Sequence, residues 1–537
     1  MAFESSRPVT PWPIERGRHP TGTKEGCGVR RTKCSAEDKK CREAQEECER
    51  VEVAKECFQK PAEFRDMVLE SVRVKPSEDF DGGSVFYMWM NKTCPVGCEF
   101  CFFKSPAKDE EGARTEVTDE GIEKLVQFTQ DGRMDKFVVS GGGEPMKSKK
   151  KLFELARRVK VKTFVVVTSG YWAKGKESTD RTLTGFYQSS KENPNNPNTV
   201  LRLSFDQEHH RRLCGSKPFE YMENIVDWLS ANALNDKKFR LLIHTMEGDD
   251  TVDKLLERLP VASREETGDR FNRKTNVRLE NGLEFCVEYS PIFESDAHVD
   301  LSDEEKVARN TRTFNNFITH RKAGRMAVKP QNEGSSGVDF LLLYDGSVEV
   351  WGATAPDTET SIYEDDYKDT MRKNLADVLT LGTLEKPTFH IQELVAEVSP
   401  ISVKRAVAMG LRDFYMRSMF EEDTVRLYVS VRLMQEYVKE GRISPEEMAA
   451  WPAQLRAMVA LDKDKLASIC RESPYNIVSQ YLNDPEVSLE KLQALYRLVK
   501  LGHYNVTPEQ MVKMVTESQI DQTLKEEFVQ EVAKSAA

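Results

Sequence analysis

From Ser84 onward, apolar runs of strand length alternate with amphipathic, helix-like segments, the pattern of βα units around a parallel sheet. The runs fall at 84–90, 136–140, 163–168, 200–206, 239–246 and 283–290. A sheet of this kind carries its functional groups at the C-terminal ends of the strands. Those ends are therefore where this chain should keep its chemistry.

The first run leads into Asn91-Lys92-Thr93-Cys94-Pro95-Val96-Gly97-Cys98-Glu99-Phe100-Cys101, which spaces three cysteines as C-x3-C-x2-C. Three thiolates on one short loop can hold three irons of a cubane. A four-iron cluster usually takes four cysteines, and no fourth stands nearby, so one iron is left open for a chelating ligand. The competing readings are half of a zinc site or three small hydrophobes. Zinc needs a fourth ligand, commonly from a second paired element. Here the next cysteine is Cys214, and His209-His210 is a lone adjacent pair.

The second run ends in Ser140-Gly141-Gly142-Gly143-Glu144-Pro145. Glycines let a backbone approach a ligand closely, although a strand-ending turn also takes glycine and proline. Some forty residues after the cysteines and at the end of the next strand, the stretch gains specificity. The two motifs together resemble the radical S-adenosylmethionine (SAM) enzymes, over roughly residues 84 to 290.

That resemblance implies an α/β fold, a partial (β/α)6 barrel, whose strand number the six runs match. It implies one [4Fe-4S] cluster on Cys94, Cys98 and Cys101, with SAM on the open iron through its amino and carboxylate groups. Phe100 would lie beside the adenine, and the backbone at Gly142 and Gly143, with Glu144, would hold the SAM amino group. The implied activity is one-electron reduction of the cluster, cleavage of SAM to methionine and a 5′-deoxyadenosyl radical, and abstraction of a substrate hydrogen. The partners it implies are a peptide or small-molecule substrate and an electron donor such as flavodoxin or ferredoxin.

Alternation along the later strands sorts further candidates. Arg202, Ser204 and Asp206 share one face of the fourth run, away from Leu201, Leu203 and Phe205. Family members often place SAM contacts on this strand, so Ser204 and Asp206 are expected there, with His209 and His210 just beyond. The fifth run puts Arg240, Leu242, His244 and Met246 together, and the sixth Glu284, Cys286, Glu288 and Ser290. A thiol is a good hydrogen-atom donor, which makes Cys286 the candidate for returning hydrogen to a substrate radical. Cys214 is the second candidate.

Before the barrel, the first 25 residues read as a flexible arm, and Ser35-Ala36-Glu37-Asp38 resembles a capping box for a helix running to about Gln59. Cys27, Cys34, Cys41 and Cys48 recur every seven residues, so Cys41 and Cys48 are expected beside Ala44, Val51 and Phe58 in a narrow packing stripe. After the barrel, Asp345-Gly346 between two apolar runs predicts a hairpin over 338–352. It resembles the start of the extension that carries auxiliary clusters in peptide-modifying radical SAM enzymes. Trp351-Gly352 stands where a cysteine would follow, so no auxiliary cluster is expected. From about Ile391 the chain reads as all-helical, with helices at 424–440, 445–459, 489–501 and 508–518. The expected units are an N-terminal arm and helix (1–80), the barrel (81–300), the hairpin region (301–390) and a helical C-terminal domain (391–537).

The barrel-plus-hairpin layout is similar to radical SAM epimerases that act on ribosomally made peptides. The alternatives are a small-molecule mutase, decarboxylase or dehydrogenase, or a non-enzymatic metal-binding interaction protein. A net charge of -11 argues against nucleic acid as the main partner. No apolar run reaches membrane-spanning length and the first residues lack a signal-peptide core, so a cytoplasmic location is expected. There, eleven cysteines are ligands or free thiols rather than disulfides.

Overall fold

The computed structural model describes residues 39–80, 82–98, 101, 103, 105–108, 115–215, 217–268, 273–290, 325, 327–330, 335–353, 359–409 and 415–536. The arm, the capping sequence at 35–38, Cys27, Cys34, the Cys41 side chain and Phe100 lie outside what is described.

Two helices, α1 (Lys39–Gln59) and α2 (Pro61–Ser71), precede the sheet. All six expected strands are present, as β1 (Gly83–Asn91), β2 (Lys136–Gly142), β3 (Thr163–Thr168), β4 (Asn198–Ser204), β5 (Phe239–Met246) and β8 (Glu284–Ser290). They lie side by side in that order, each parallel to the next. Between β5 and β8 the chain adds β6 (Val261–Thr267) and β7 (Lys274–Leu279), which extend the sheet antiparallel beyond β8. The expected hairpin forms from β10 (Ser336–Leu342) and β11 (Val348–Val350), with Gly346 at φ +98° in its turn. β10 then pairs parallel to β1, and β9 (Val328–Pro330) runs antiparallel to β10. The ends of the strand order are β11 and β6, so the sheet is open, a partial barrel.

The register is pinned by an aromatic row on the helix-covered face. Phe340, Phe86, Phe137 and Phe164 are aligned across β10, β1, β2 and β3. Phe86 and Phe137 stack at 5.3 Å, and Phe137 and Phe164 at 5.7 Å. Such pairs add about 0.5–1.5 kcal/mol beyond their burial, and a one-residue slip would turn every one of them to the other face. Helices α3 (Asp119–Asp131), α4 (Lys149–Arg158), α5 (Lys176–Glu192) and α7 (Glu220–Asn232) cover this side. Val117, Leu125, Leu152, Leu155, Leu183 and Phe186 are fully buried in the same core.

The opposite, inner face carries a smaller apolar patch, Val85, Val138, Val165 and Val200, with Tyr87, Val167 and Leu242 packed against it. Around it stand polar side chains. The two faces of the sheet thus differ in kind, and among the described residues the inner one carries two cavities.

Helix α1 packs on helices Ala453–Val459 and Lys463–Arg471 of the C-terminal region. Its buried stripe is Ala54, Cys57 and Phe58. Ala44, expected in the stripe, is exposed; Cys48 and Val51 are half-buried. The C-terminal helices match expectation except over 445–459, where Pro452 splits one helix into Pro445–Ala449 and Ala453–Val459. One apolar core runs from Ala54 to Cys470, and a second, smaller one gathers Ile477 to Phe528. No helix among the described residues is long and apolar enough to cross a membrane.

Candidate functional site

At the C-terminal ends of β1 to β4 lies a cavity of about 400 Å³ whose walls include Cys94, Cys98, Cys101 and the backbone turn after β2. The cysteine loop leaves β1 at Asn91 and is anchored at once. The Asn91 side-chain amide donates to the Glu144 carbonyl (2.9 Å) and to Ser148 Oγ (3.2 Å), and the Glu144 N–H donates to the Thr93 carbonyl (2.9 Å). The loop is closed on itself by Cys94 N–H to the Pro106 carbonyl (2.9 Å) and Cys101 N–H to the Cys98 carbonyl (3.2 Å). Ser105 donates to the Gly142 carbonyl. The cysteine loop and the glycine turn are therefore one hydrogen-bonded body.

Two of the glycines are fixed by this contact. Gly142 sits at φ +73°, and a Cβ there would meet the Asn91 carbonyl at 2.6 Å. A Cβ on Gly143 would lie 2.0 Å from Asn91 Oδ1 and 2.2 Å from the Thr93 carbonyl. No real side chain fits, so the glycines permit the turn to press against the loop that carries the thiols.

Glu144 is 3% exposed, and its carboxylate accepts four hydrogen bonds: Thr168 Oγ1 (2.7 Å), Ser169 N–H (2.8 Å), Ser169 Oγ (2.7 Å) and Met146 N–H (3.0 Å). A carboxylate offers about four such positions. Glu144 therefore ties the end of β2 to the end of β3, and a ligand ammonium would have to displace one of these donors. Thr168 and Ser169, which also line the cavity, were not singled out from sequence. Their signal was the switch from Val165-Val166-Val167 to Thr168-Ser169-Gly170 at a strand's C-terminal end.

Ser204, at the end of β4, lines the cavity as expected. Asp206 does not remain on the strand. It is the N-cap of α6 (Gln207–Leu213), accepting from His209 N–H (3.0 Å), and its other oxygen lies 2.6 Å from His209 Nδ1. Aspartate at a helix start satisfies an otherwise unpaired N–H, which is why β4 stops two residues short of the sequence estimate. Asp206 thus acts on the cavity through His209, whose ring lines it. Burial opposes charge on that imidazole, but its hydrogen bonds to Asp206 and Cys98 prevail and push its pKa up to about 10. His210 instead stacks on Phe219 at 4.2 Å, and burial lowers its pKa.

Burial pushes the Cys94 thiol up to about 11, against hydrogen bonding from the Val96 backbone. Among the described residues no three His, Cys, Asp or Glu side chains converge as ligands of one metal ion do. A zinc ion would need its sulfurs within about 2.3 Å of one centre. Three thiols around one cavity can each take a different iron of a cluster. The donor set fits the implied group.

The two thiols expected to take part in hydrogen transfer lie elsewhere. Cys286 is on the inner face of β8, in register with Leu242, and lines a second cavity of about 910 Å³ deeper along the strands. Its thiol pKa is raised by burial first and then by Glu288. Cys214 caps the C-terminal end of α6, its thiol directed to the Arg211 carbonyl at 3.5 Å, and lines neither cavity.

A parallel, open run of strands with three loop thiols and a glycine turn at its strand ends defines an α/β protein of partial-barrel type with one cavity at the strand ends. Residues 90–259 match the family model described as the Radical SAM superfamily. Over that stretch the chain carries a radical SAM domain, the domain of a family of enzymes that use a [4Fe-4S] cluster and SAM. Two solved structures are similar over most of their own length: native anSMEcpe with bound AdoMet and a histidine-tagged form of the same protein with bound AdoMet. Each is 13% identical to this chain; the matches cover 66% and 70% of it and 99% and 98% of theirs, with TM-scores of 0.34 and 0.36. Those scores leave the fold to be judged from the sheet itself. No curated protein matches the chain.

Proposed function

We propose that Cys94, Cys98 and Cys101 hold the cluster, that the backbone at Gly142 and Gly143 and the Ser204 side chain hold SAM while Glu144 braces the turn, and that a substrate lies on the inner face of the sheet. When bound, cluster and SAM together supply a 5′-deoxyadenosyl radical able to take a hydrogen atom. The chain's own residues position the reactants and keep water out. The observation that carries this reading is the single cavity shared by the three thiols, the glycine turn, Ser169 and Ser204. A flavodoxin or ferredoxin as reductant belongs to the same proposal.

The second cavity favours a small-molecule substrate over a long peptide, since about 910 Å³ is the size of an ordinary ligand pocket. Epimerisation of a ribosomally made peptide rests on Cys286 alone, as a thiol that could return hydrogen to the opposite face of a radical. Metal content after anaerobic reconstitution tests the assignment of the thiols. About four irons per chain, lost in the alanine variant of each of the three cysteines, is the expected result; stoichiometric zinc instead of iron defeats the reading. Turnover in deuterated water then separates the outcomes, because inversion adds one mass unit and decarboxylation removes a large group.

A further inference from the structure

The second cavity differs from the first in charge. Along β2 to β5 and β8 the inner-face residues form rows: Val138, Val165, Val200 and Arg240 in one, then Ser140, Val167, Arg202, Leu242 and Cys286 in the next. Ser204, which lines the cavity of the thiols, stands one row further toward the strand ends, about 7 Å on at 3.3 Å per residue. The deep cavity therefore opens directly below the proposed SAM site.

Five cationic side chains line it, Lys136, Arg202, Arg240, Lys274 and Arg278, against three carboxylates, Glu265, Glu284 and Glu288. Two cations are already neutralised: Lys274 Nζ is 2.5 Å from Glu288 and Arg278 Nε is 3.1 Å from Glu284. Among the described residues no carboxylate lies within ion-pair distance of Lys136 or Arg240. Burial lowers the Lys136 pKa, and Arg202, Lys329 and Lys274 push it the same way, with only Glu288 opposing. This concentration of like charge occurs in a chain whose net charge is -11, so it is not a consequence of composition. Lys136 and Arg240 are exposed to the cavity, and cations gathered on one concave wall focus a positive potential that an anion relieves.

We propose that Lys136 and Arg240 bind an oxyanion, a phosphate or carboxylate group of the substrate, at the floor of the barrel. The inference rests on the radical SAM reading of the same interior and names the substrate class it would serve. Arginine suits such a group because its planar fork meets two oxygens at once, and lysine adds a point charge. An oxyanion held near Arg240 leaves the rest of an extended substrate pointing up the strands, past Val167 and toward Ser204. The anchor would thus set which substrate atom lies two rows higher, about 13 Å away, beside the cofactors.

The test uses the reconstituted full-length enzyme in equilibrium dialysis against radiolabelled inorganic phosphate and, separately, radiolabelled succinate. Saturable binding of either, about one per chain and weakened by added salt, is expected. Arg240→Glu should weaken it about tenfold or more, and Arg240→Lys by about threefold or less. Iron content and the melting temperature report whether each variant is folded, and Lys136→Gln provides an independent second site should Arg240→Glu fail to fold. Phosphate binding alone identifies a phosphorylated substrate, succinate alone a carboxylate; either supports the inference. Binding of neither anion, or equal binding by wild type and a folded Arg240→Glu, overturns it. A wild type that contains iron but binds neither anion defeats only the anchor, whereas one that binds anions but holds no iron defeats the cluster reading.

Discussion

The two faces of the central sheet are made from alternate residues of the same strands, yet they answer to different demands. On the outer face Phe86, Phe137, Phe164, Leu201 and Ile243 are fully buried under helices. On the inner face the equivalent positions include Lys136, Ser140, Arg202, Ser204, Arg240 and Cys286, and the apolar patch is smaller. A period of two residues is enough to separate stability from chemistry. Substitutions on the outer face should cost folding, and those on the inner face should cost ligands.

Phe137→Ala should have the largest effect on stability, about 3–5 kcal/mol, because it empties the middle of the aromatic row. Chemical denaturation measures it; a loss under about 1 kcal/mol would mean that the row does not hold the register. Glu144→Ala is intermediate. It strands the buried N–H groups of Met146 and Ser169, at about 1–3 kcal/mol each, so iron content, SAM affinity and melting temperature should fall together. Loss of SAM affinity with iron and melting temperature intact would restore Glu144 to the direct SAM contact expected from sequence. Smallest is Cys286→Ala, which removes a half-buried thiol from a cavity wall and should change stability by less than about 1 kcal/mol. The variant should still form 5′-deoxyadenosine while losing any stereo-inverted product; an unaltered product removes Cys286 from hydrogen return.

The same contrast explains what could be read from sequence. Strands β3 and β5 begin and end where periodicity placed them, because apolar runs between polar breaks mark a half-buried strand clearly. Strands β6 and β7 were missed. Val261-Ala262-Ser263-Arg264-Glu265-Glu266-Thr267 is exposed along most of its length, and it is a strand through pairing with β7, not through an apolar face. The parallel pairing of β10 with β1 was equally hidden, since a hairpin signal is local and the match of Phe340 to Phe86 spans some 250 residues. At the site, the cysteine loop and the glycine turn, singled out by their spacing, do meet at one cavity. Asp206 was misplaced by two residues because its capping of α6 competes with strand extension, and Ser169 was overlooked because a single serine after a strand has no period to announce it.

The central claim is that Cys94, Cys98 and Cys101 support radical chemistry at the cavity they share with the glycine turn. The most direct measurement is anaerobic reduction of the reconstituted protein with SAM, scored for 5′-deoxyadenosine and methionine. Both products should form in equal amounts from the wild type and neither from Cys94→Ala, Cys98→Ala or Cys101→Ala. Undiminished 5′-deoxyadenosine from any one of these variants, or none from a wild type holding about four irons, would contradict the claim.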